Sequence, residues 1–321
     1  MILNIQGFDI NNNEIKLPQI LWYKHYIGRF GFEETFEFGF SKKIPINLTK
    51  VIVTKKNKKQ IECFVDNILV EINNLGFTSK IKIKNVVCRL FENQVAPEII
   101  KNCTLKKLIA KYAKEFNFIC KIKEASTAET EKLYIDLGMT ALDVIKFFFR
   151  INFKKTIFLK ENKELSFSYS PTNALYFGES VKNNKPQTNR LKYINMKMLD
   201  DRSKLVSDAF VRLSFENNES EFFHLTSENK LATNCNIKRV KYCNVPIHWQ
   251  ALPKSGSDYI VKKANKKRFK YIITTFEDVE VFPGMIGTIN EIGPTKNLVV
   301  SEVLHSVNKN GKETTIGFLN K

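Results

Sequence analysis

This chain of 321 residues has none of the sequence motifs that mark the common enzyme classes. It contains no H-E-x-x-H, no G-x-S-x-G, no phosphate-binding P-loop and no dinucleotide-binding glycine pattern. Its histidines are few and far apart in sequence: His25, His224, His248 and His305. His305 alternates with Val303 and Val307, which indicates a packing residue of a strand rather than a catalytic base.

Acidic pairs are also scarce. Glu33-Glu34 and Asp200-Asp201 are adjacent acidic residues that could suggest a glycosidase. Neighbouring residues of a strand face opposite sides, so neither pair can flank one scissile bond. We therefore expect no catalytic residues and no enzyme activity. A cell-wall hydrolase whose carboxylates meet only on folding is the least favoured alternative.

The cysteines lack metal-ligand spacing. There is no C-x-x-C and no Cys/His cluster, and most of the six cysteines stand in apolar runs: Cys63, Cys88, Cys103, Cys120, Cys235 and Cys243. We expect buried, reduced thiols, as in a protein made in a reducing cytoplasm, and no metal or other cofactor.

Long hydrophobic runs are missing as well. No stretch approaches the roughly 18 apolar residues that span a bilayer. The amino terminus from Met1 to Asp9 has no basic region followed by an apolar one. The sequence predicts neither export through a signal peptide nor a membrane anchor of its own.

One charge sign is in excess, with a net charge of +18. Such an excess can indicate a nucleic-acid-binding protein. However, the lysines are scattered over the whole chain, and the densest runs, Lys55–Lys59 and Lys262–Arg268, resemble a hairpin tip and a solvated loop or helix edge. We expect the charge to serve solubility and acidic protein neighbours, with no specific nucleic acid as partner.

Strand patterns dominate the first part of the chain. Residues 34–40 alternate apolar and polar side chains, and residues 51–54 and 60–65 flank a lysine-rich turn as a hairpin does. Further strands are predicted at Ile68–Ile72, Ile81–Lys84 and Val86–Phe91. This part is predicted to form a small antiparallel sheet or barrel.

Two helix-then-strand units follow. The first helix, from Thr104 to about Phe116, places its apolar residues on one face: Leu105, Leu108, Ile109, Tyr112 and Phe116. The second begins at Thr140, a predicted N-cap, with Asp143 three residues later. Strands are expected after each helix, at Phe118–Ile122 and Thr156–Leu159, and the latter returns as Leu165–Tyr169 in a hairpin.

Strands return after Pro171–Arg190, which is rich in Asn, Lys, Pro and Ser and is predicted to be a linker or exposed loop. Strands are expected at residues 208–215, 270–276, 279–282, 287–292, 298–307 and 313–319. Pro283-Gly284, Gly293-Pro294 and Asn310-Gly311 separate the last of them, and Asn310-Gly311 favours a type I′ hairpin.

The predicted fold class is α+β and mainly β. A first antiparallel barrel-like, tube-like domain covers residues 1–100, an α/β insert with two helices covers 101–170, and a linker with a second such barrel covers 171–321.

Several segments resemble the baseplate hub proteins of contractile tails, the late-control protein D relatives of myophages, R-type bacteriocins and related contractile injection particles. They are Lys84–Pro97, Leu105–Phe116, Leu137–Ile145, the hairpin returning at Leu165, Phe282–Gly287 and Val303–Val307. The closing segments match the family's Pro-Gly turn before a strand and its Val-x-His strand. The resemblance runs from about Ile81 to the end and departs from the family pattern around Lys241–Arg268.

The resemblance implies a structural adaptor without catalytic residues. It implies a homotrimer whose two like barrels per protomer form a pseudo-sixfold ring between a sixfold tail tube and a threefold spike. The implied partners are the spike protein, the tail tube protein, a LysM-type tail protein and baseplate wedge proteins. The implied location is the baseplate of a phage tail or tail-like particle assembled in the bacterial cytoplasm. The alternative is a nucleic-acid-binding β-barrel of the OB type, which would need clustered basic and aromatic residues on one sheet face.

Overall fold

The computed structural model describes most of the chain, with gaps between ranges. The described residues are 3–28, 31–55, 60–73, 76–153, 155, 157–160, 163–167, 175–177, 181–182, 185–186, 191–212, 222–224, 229–244, 253–266, 268–276, 279–289 and 298–320. Within them, no helix is long and apolar enough to cross a membrane.

The amino-terminal unit is built from strands. They are β1 (Asn4–Phe8), β2 (Glu14–Ile15), β3 (Ile20–Gly28), β4 (Glu33–Phe40), β5 (Lys50–Thr54), β6 (Gln60–Asn73) and β7 (Gly76–Asn85). Two-residue alternation explains them: Phe36, Phe38 and Phe40 of β4 are buried on one face, together with Ile81 and Ile83 of β7. The predicted hairpin around the lysine turn is confirmed as β5 and β6.

The prediction of a strand at Val86–Phe91 is wrong. The chain forms a 3₁₀ turn at Val86–Cys88 and a short helix α1 at Arg89–Glu92. The Asn85 side chain accepts a hydrogen bond from the backbone N–H of Val87 at 3.1 Å, which starts the turn. This side-chain cap outweighs the strand preference of the two valines.

The insert follows, and its apolar helix faces form one core. Its elements are β8 (Glu98–Thr104), α2 (Leu105–Tyr112), a 3₁₀ turn (Lys114–Phe116), β9 (Ile119–Cys120), α3 (Lys123–Thr127), β10 (Glu129–Ile135), α4 (Ala141–Phe153), β11 (Phe158–Leu159) and β12 (Glu164–Ser166). Strands β8 and β10 pair with each other, while β12 pairs with both β11 and β9. The predicted β11–β12 hairpin is confirmed, and its turn residues 161–162 lie outside the described residues.

Both predicted helices are confirmed, although α2 ends at Tyr112 and a 3₁₀ turn replaces its predicted last turn near Phe116. The predicted cap at Thr140 is confirmed, and Thr104 caps α2 in the same way. The Thr104 hydroxyl accepts from Lys107 N, and the Thr140 hydroxyl accepts from Asp143 N at 3.2 Å. Asp143 accepts in return from Thr140 N at 3.1 Å, which completes a reciprocal capping box. The α4 side chains Leu142, Ile145, Phe148 and Phe149 are all buried, as their spacing predicts.

The carboxyl-terminal part of the chain contains the remaining described strands. They are β13 (Leu175–Phe177), β14 (Val181–Lys182), β15 (Lys185–Pro186), β16 (Asn195–Asp200), β17 (Asp208–Arg212), β18 (Phe222–His224), β19 (Val240–Asn244), β20 (Phe269–Thr275), β21 (Ile286–Ile289), β22 (Leu298–Asn308) and β23 (Gly311–Asn320). The helices are α5 (Lys230–Asn234) and α6 (Pro253–Lys266), and Arg202–Lys204 is a 3₁₀ turn.

Three details differ from the sequence predictions here. Leu175–Phe177, inside the predicted linker, is a strand that pairs with β21, while most of that linker lies outside the described residues. Val279–Phe282 is not a strand. At the β22–β23 turn Gly311 has φ +116 but Asn310 has no positive φ, so the turn is not type I′.

One thirteen-stranded sheet runs through both units. Its order is β16-β20-β23-β22-β3-β4-β7-β6-β5-β1-β2, with β13 and β21 attached beside β22. One apolar core lies in the amino-terminal unit, one in the insert and one in the carboxyl-terminal unit. The predicted mainly β fold with a helical insert is confirmed.

The β11 strand of the insert packs against both units at glycines. A Cβ at Gly31, whose φ is +91, would stand 2.1 Å from the Leu159 carbonyl oxygen. A Cβ at Gly284, whose φ is +97, would stand 2.6 Å from Phe158 Cδ1. Only glycine permits this approach, so these two turns seat the insert between the units.

Candidate assembly edges

The two units join through a strand ladder. The second half of β22 pairs antiparallel with β3, from Val303 opposite Ile27 to Val307 opposite Tyr23. At its centre His305 lies opposite His25, and their rings stack with centroids 5.7 Å apart. Two histidines remote in sequence therefore meet inside the sheet, which their spacing in the chain does not predict.

A buried polar cluster lies beside this ladder. Glu34 Oε1 is 2.9 Å from both His25 Nε2 and Lys55 Nζ, and Asn85 Nδ2 donates to Glu34 Oε2 at 3.0 Å. Burial alone would raise the pKa of Glu34, but the charge of Lys55 and the hydrogen bond of His25 outweigh it, so the pKa lies well below its ordinary value. The side chain of Lys55 is only 5% exposed. Lys55 is therefore an internal counter-charge and not part of an exposed turn.

The remaining histidines and acidic pairs fall into separate environments. His305 Nδ1 lies 3.1 Å from the Thr314 hydroxyl, in line with the predicted packing role. Glu34 points into the cluster while Glu33 lines the opposite face, as their adjacency predicts. The side chain of His224 and all of His248 lie outside the described residues.

Asp200 and Asp201 have structural partners. Asp200 receives two hydrogen bonds from Arg268, at 2.6 and 2.9 Å, which lower the pKa of its carboxyl to about 2. Asp201 accepts from Ser203 N and caps a 3₁₀ turn. Arg268 is mostly buried, so it does not belong to a solvated basic run, whereas Lys262 is exposed.

The cysteines for which the structure describes a side chain are free thiols. Cys63, Cys88 and Cys103 are buried, and Cys120 and Cys235 are partly exposed. Burial raises the pKa of Cys88 to about 12 and of Cys103 to about 11, which suppresses the thiolate. In the part of the chain that the structure describes, no three His, Cys, Asp or Glu side chains group as metal ligands would.

The two units repeat the same strand order. In the first unit the order is β3-β4-β7-β6-β5, and in the second it is β16-β20-β23-β22-β21. Each strand of the first series therefore has a counterpart in the second. The outermost strands differ in direction, because β1 is antiparallel to β5 whereas β13 is parallel to β21.

Register follows the same repeat. The β6–β7 ladder has a bulge between Val65 and Asn67 and ends with Asn73 opposite Gly76. The β22–β23 ladder has its bulge between Val300 and Glu302 and ends with Asn308 opposite Gly311. Each residue of the β6–β7 ladder and its counterpart in the β22–β23 ladder are separated by the same number of positions in the chain. Ile68 therefore corresponds to Val303, and Val70 corresponds to His305. This register-level repeat is not apparent from the strand patterns alone.

Two of these counterpart strands have an open edge. Past Val65, β6 pairs with β7 on one side and with no other described strand, although its counterpart β22 pairs with β3 at that place. Similarly, β16 pairs only with β20 among the described strands, although its counterpart β3 pairs with both β4 and β22. Open edges are sites where another strand can add.

Apolar side chains are exposed along both open edges. Leu69 and Ile72 of β6 are 46% and 74% exposed, and Met198 and Leu199 of β16 are 60% and 50% exposed. Leu199 follows Met198, so the β16 edge is apolar on both faces of the sheet. The opposite end of the sheet is closed by β2, a two-residue strand with an exposed Glu14 followed by Pro18, which discourages pairing.

The solvent face of the joined sheet carries both charge signs. Lys24, Glu37 and Lys82 stand opposite one another on adjacent strands. Ion pairs on this face include Lys80 with Glu37 at 3.2 Å and Lys84 with Asp66 at 2.8 Å. The face is therefore not a basic surface of the kind that follows a phosphate backbone.

No protein-family model matches the chain, and no curated protein matches it. Solved structures do. A 43 kDa tail protein of prophage MuSo2 from Shewanella oneidensis superposes with a TM-score of 0.69 at 11% identity, covering 99% of this chain and 98% of that one.

A tail protein from Neisseria meningitidis gives 0.65 at 12% identity, covering 99% and 96%. A type VI secretion component of E. coli, described as structurally similar to bacteriophage T4 tail proteins, gives 0.55 at 8% identity, covering 100% of this chain and 77% of that one. The chain has the fold of these three proteins.

Proposed function

We propose that this chain is a non-enzymatic baseplate hub subunit of a contractile phage tail or phage-tail-like bacteriocin. The observation that carries the proposal is the repeat: two units with one strand order and one register lie edge to edge in a single chain. A ring protein that joins sixfold and threefold neighbours needs such a doubled unit, because three copies then present six like units. The fold shared with phage tail proteins supports the same role.

The proposed assembly is a homotrimer in the baseplate, formed in the bacterial cytoplasm. Its proposed neighbours are the tail tube protein on one side and the spike on the other, with a LysM-type tail protein and baseplate wedge proteins around it. The three cores support the proposed division into two tube-like domains, 1–100 and 171–321, with the insert at 101–170 between them, although β8 crosses the first boundary and pairs with β10 of the insert.

The OB-type nucleic-acid-binding alternative has little support. Its binding face would need clustered basic and aromatic side chains. The solvent face of the sheet instead pairs lysines with carboxylates, and Lys55 and Arg268 of the two basic runs are internal ion-pair partners.

Light scattering of the chain produced together with its proposed spike partner tests the proposal. We expect a complex with three copies of the chain, and antibody labelling should place the chain at the tip end of purified tail particles. A chain that stays monomeric in that mixture at micromolar concentration contradicts the proposal. The chain alone is the reference sample.

A further inference from the structure

We propose that the open edge of β16 pairs with the open second half of β6 in a neighbouring copy of the chain. This inference rests on the proposed ring and names the surfaces that close it. The argument starts from the junction within one chain, where β22 meets β3. By the repeat, β6 is the counterpart of β22 and β16 is the counterpart of β3. The open edges are therefore the second copy of a junction that the molecule already makes once.

The repeat also sets the register of the proposed junction. In the existing ladder Leu304 lies opposite Tyr26, His305 opposite His25 and Ser306 opposite Lys24. The counterparts of these three β22 residues are Leu69, Val70 and Glu71, by the matched bulges and turns of the two hairpins.

The counterparts of the β3 residues follow from the strands beside them. Lys84 of β7 corresponds to Leu319 of β23, so their partners Thr35 and Lys270 also correspond. Tyr26 pairs with Thr35, and Leu199 pairs with Lys270, so Leu199 is the counterpart of Tyr26. The proposed pairs between copies are therefore Leu69 with Leu199, Val70 with Met198 and Glu71 with Lys197.

Each of these pairs is chemically matched. Leu69 and Leu199, 46% and 50% exposed in the single chain, would cover each other. Met198, 60% exposed, would lie against Val70 on the core face of the sheet, next to Tyr271, its partner in β20. Glu71 and Lys197 are both exposed and carry opposite charges. The register comes from backbone pairing alone, so this side-chain match is an independent observation.

The match is poorer at one end of the junction. Val303 lies opposite Ile27 in the internal junction, so the same register would place Ile68 opposite Asp200 between copies. The Asp200 carboxylate is already bound by Arg268. We expect pairing to weaken there. The contact joins two different edges, so copies associate head to tail. In the proposed trimer, three copies that repeat the internal junction close a ring of six units.

Paired cysteines test the register directly. Leu69→Cys and Leu199→Cys are introduced together in a background with Cys120, Cys235 and Cys243 replaced by serine. Air oxidation followed by non-reducing electrophoresis is expected to give a covalent trimer without a longer ladder. The intramolecular pair Tyr26→Cys with Leu304→Cys is the positive control, because it occupies the equivalent rung inside one chain and leaves the chain monomeric on the gel.

Each outcome decides the proposal. Cross-linking by Leu199→Cys alone would mean that like edges meet and would overturn it, as would a ladder that extends beyond three copies. A trimer by light scattering without cross-links in the double variant would overturn the named edges while leaving the hub proposal standing. Absence of any oligomer, alone or with the spike, would contradict both.

Charge reversal gives a second, independent test. Glu71→Lys alone and Lys197→Glu alone are expected to weaken assembly by roughly tenfold, and the combined variant should regain it. Both side chains are exposed, so the fold should tolerate each change, which circular dichroism checks. Assembly in the combined variant that is no better than in either single variant would argue against the pair.

Discussion

At the residue scale, Glu34 is a largely buried acid with three polar partners. It holds Lys55 and His25 at one oxygen and Asn85 at the other. Sequence alternation predicts that Glu34 and Glu33 face opposite sides. It does not predict the partner Lys55, because that lysine stands at the head of a lysine-rich run that resembles an exposed turn.

Glu34→Gln should destabilise the protein by about 3 kcal/mol, because it leaves the Lys55 ammonium buried without its counter-charge. Urea unfolding at neutral pH measures the loss. Glu37→Gln is the control, since Glu37 faces solvent and pairs with Lys80, and it should cost about 0.5 kcal/mol or less. Equal losses would show that the cluster contributes nothing beyond a surface ion pair.

The same residue predicts acid sensitivity. The folded pKa of Glu34 lies below its ordinary value of 4.5, so the unfolded chain binds a proton in acid that the folded chain does not. The stabilisation from Glu34 is present above pH 4.5 and is lost as the pH falls toward the folded pKa. The stability difference between wild type and Glu34→Gln should therefore be constant near neutral pH and should shrink in acid.

At the element scale, local rules predict the insert helices better than the turns of the sheet. The Thr140–Asp143 capping box and the apolar faces of both helices follow from spacing alone. The strand predicted at Val86–Phe91 fails because one Asn85 hydrogen bond redirects the chain. The sequence does not predict the β8–β10 ribbon or α3. These elements are short and bury few side chains, so they show little apolar periodicity.

Leu108→Ala should cost about 2–5 kcal/mol, because Leu108 is fully buried in the insert core and its loss leaves a cavity. Lys106→Ala on the exposed face of the same helix should cost about 0.5 kcal/mol or less. Ile109, predicted from sequence to be equally buried, is only partly buried and should fall between them. Similar midpoints for all three variants in a denaturant titration would contradict this placement of the helix.

Gly284→Ala tests how the insert is seated. Both Gly284 and Gly138 have a positive φ, so alanine at either should cost about 1–2 kcal/mol of backbone strain. Only at Gly284 would the new Cβ also meet Phe158, 2.6 Å away, whereas Gly138 has open space around it. We expect a clearly larger loss of thermal stability for Gly284→Ala than for Gly138→Ala. Equal losses would mean that Phe158 of β11 can move to make room for the new Cβ.

At the scale of the whole molecule, both the spread of charge and the repeated topology favour an assembly subunit over a nucleic-acid-binding protein. The net charge of +18 is spread over a surface that also carries carboxylates. The sequence predicts two strand-rich units but not their shared register. The register is a property of backbone pairing, and few of the matched positions carry identical residues. Leu69 corresponds to Leu304 and Asn73 to Asn308, whereas Val70 corresponds to His305.

A gel-shift series with duplex DNA should show only weak binding, independent of sequence, that disappears near physiological salt. Neutralising Lys262, Lys263, Lys266 and Lys267 together should reduce even that. Arg268 is left intact because its loss would remove the Asp200 pair and disturb the fold. Nanomolar or sequence-selective binding at physiological salt would instead favour a nucleic-acid function.

The ladder between β3 and β22 also determines how the molecule carries mechanical load. Its hydrogen bonds lie across the strands, so a force along the strands would shear all the rungs together, whereas a force that lifts one end would break them one after another. The ladder is therefore stiffer against sliding of β3 past β22 than against peeling. A force that runs parallel to these two strands would load all its rungs at once.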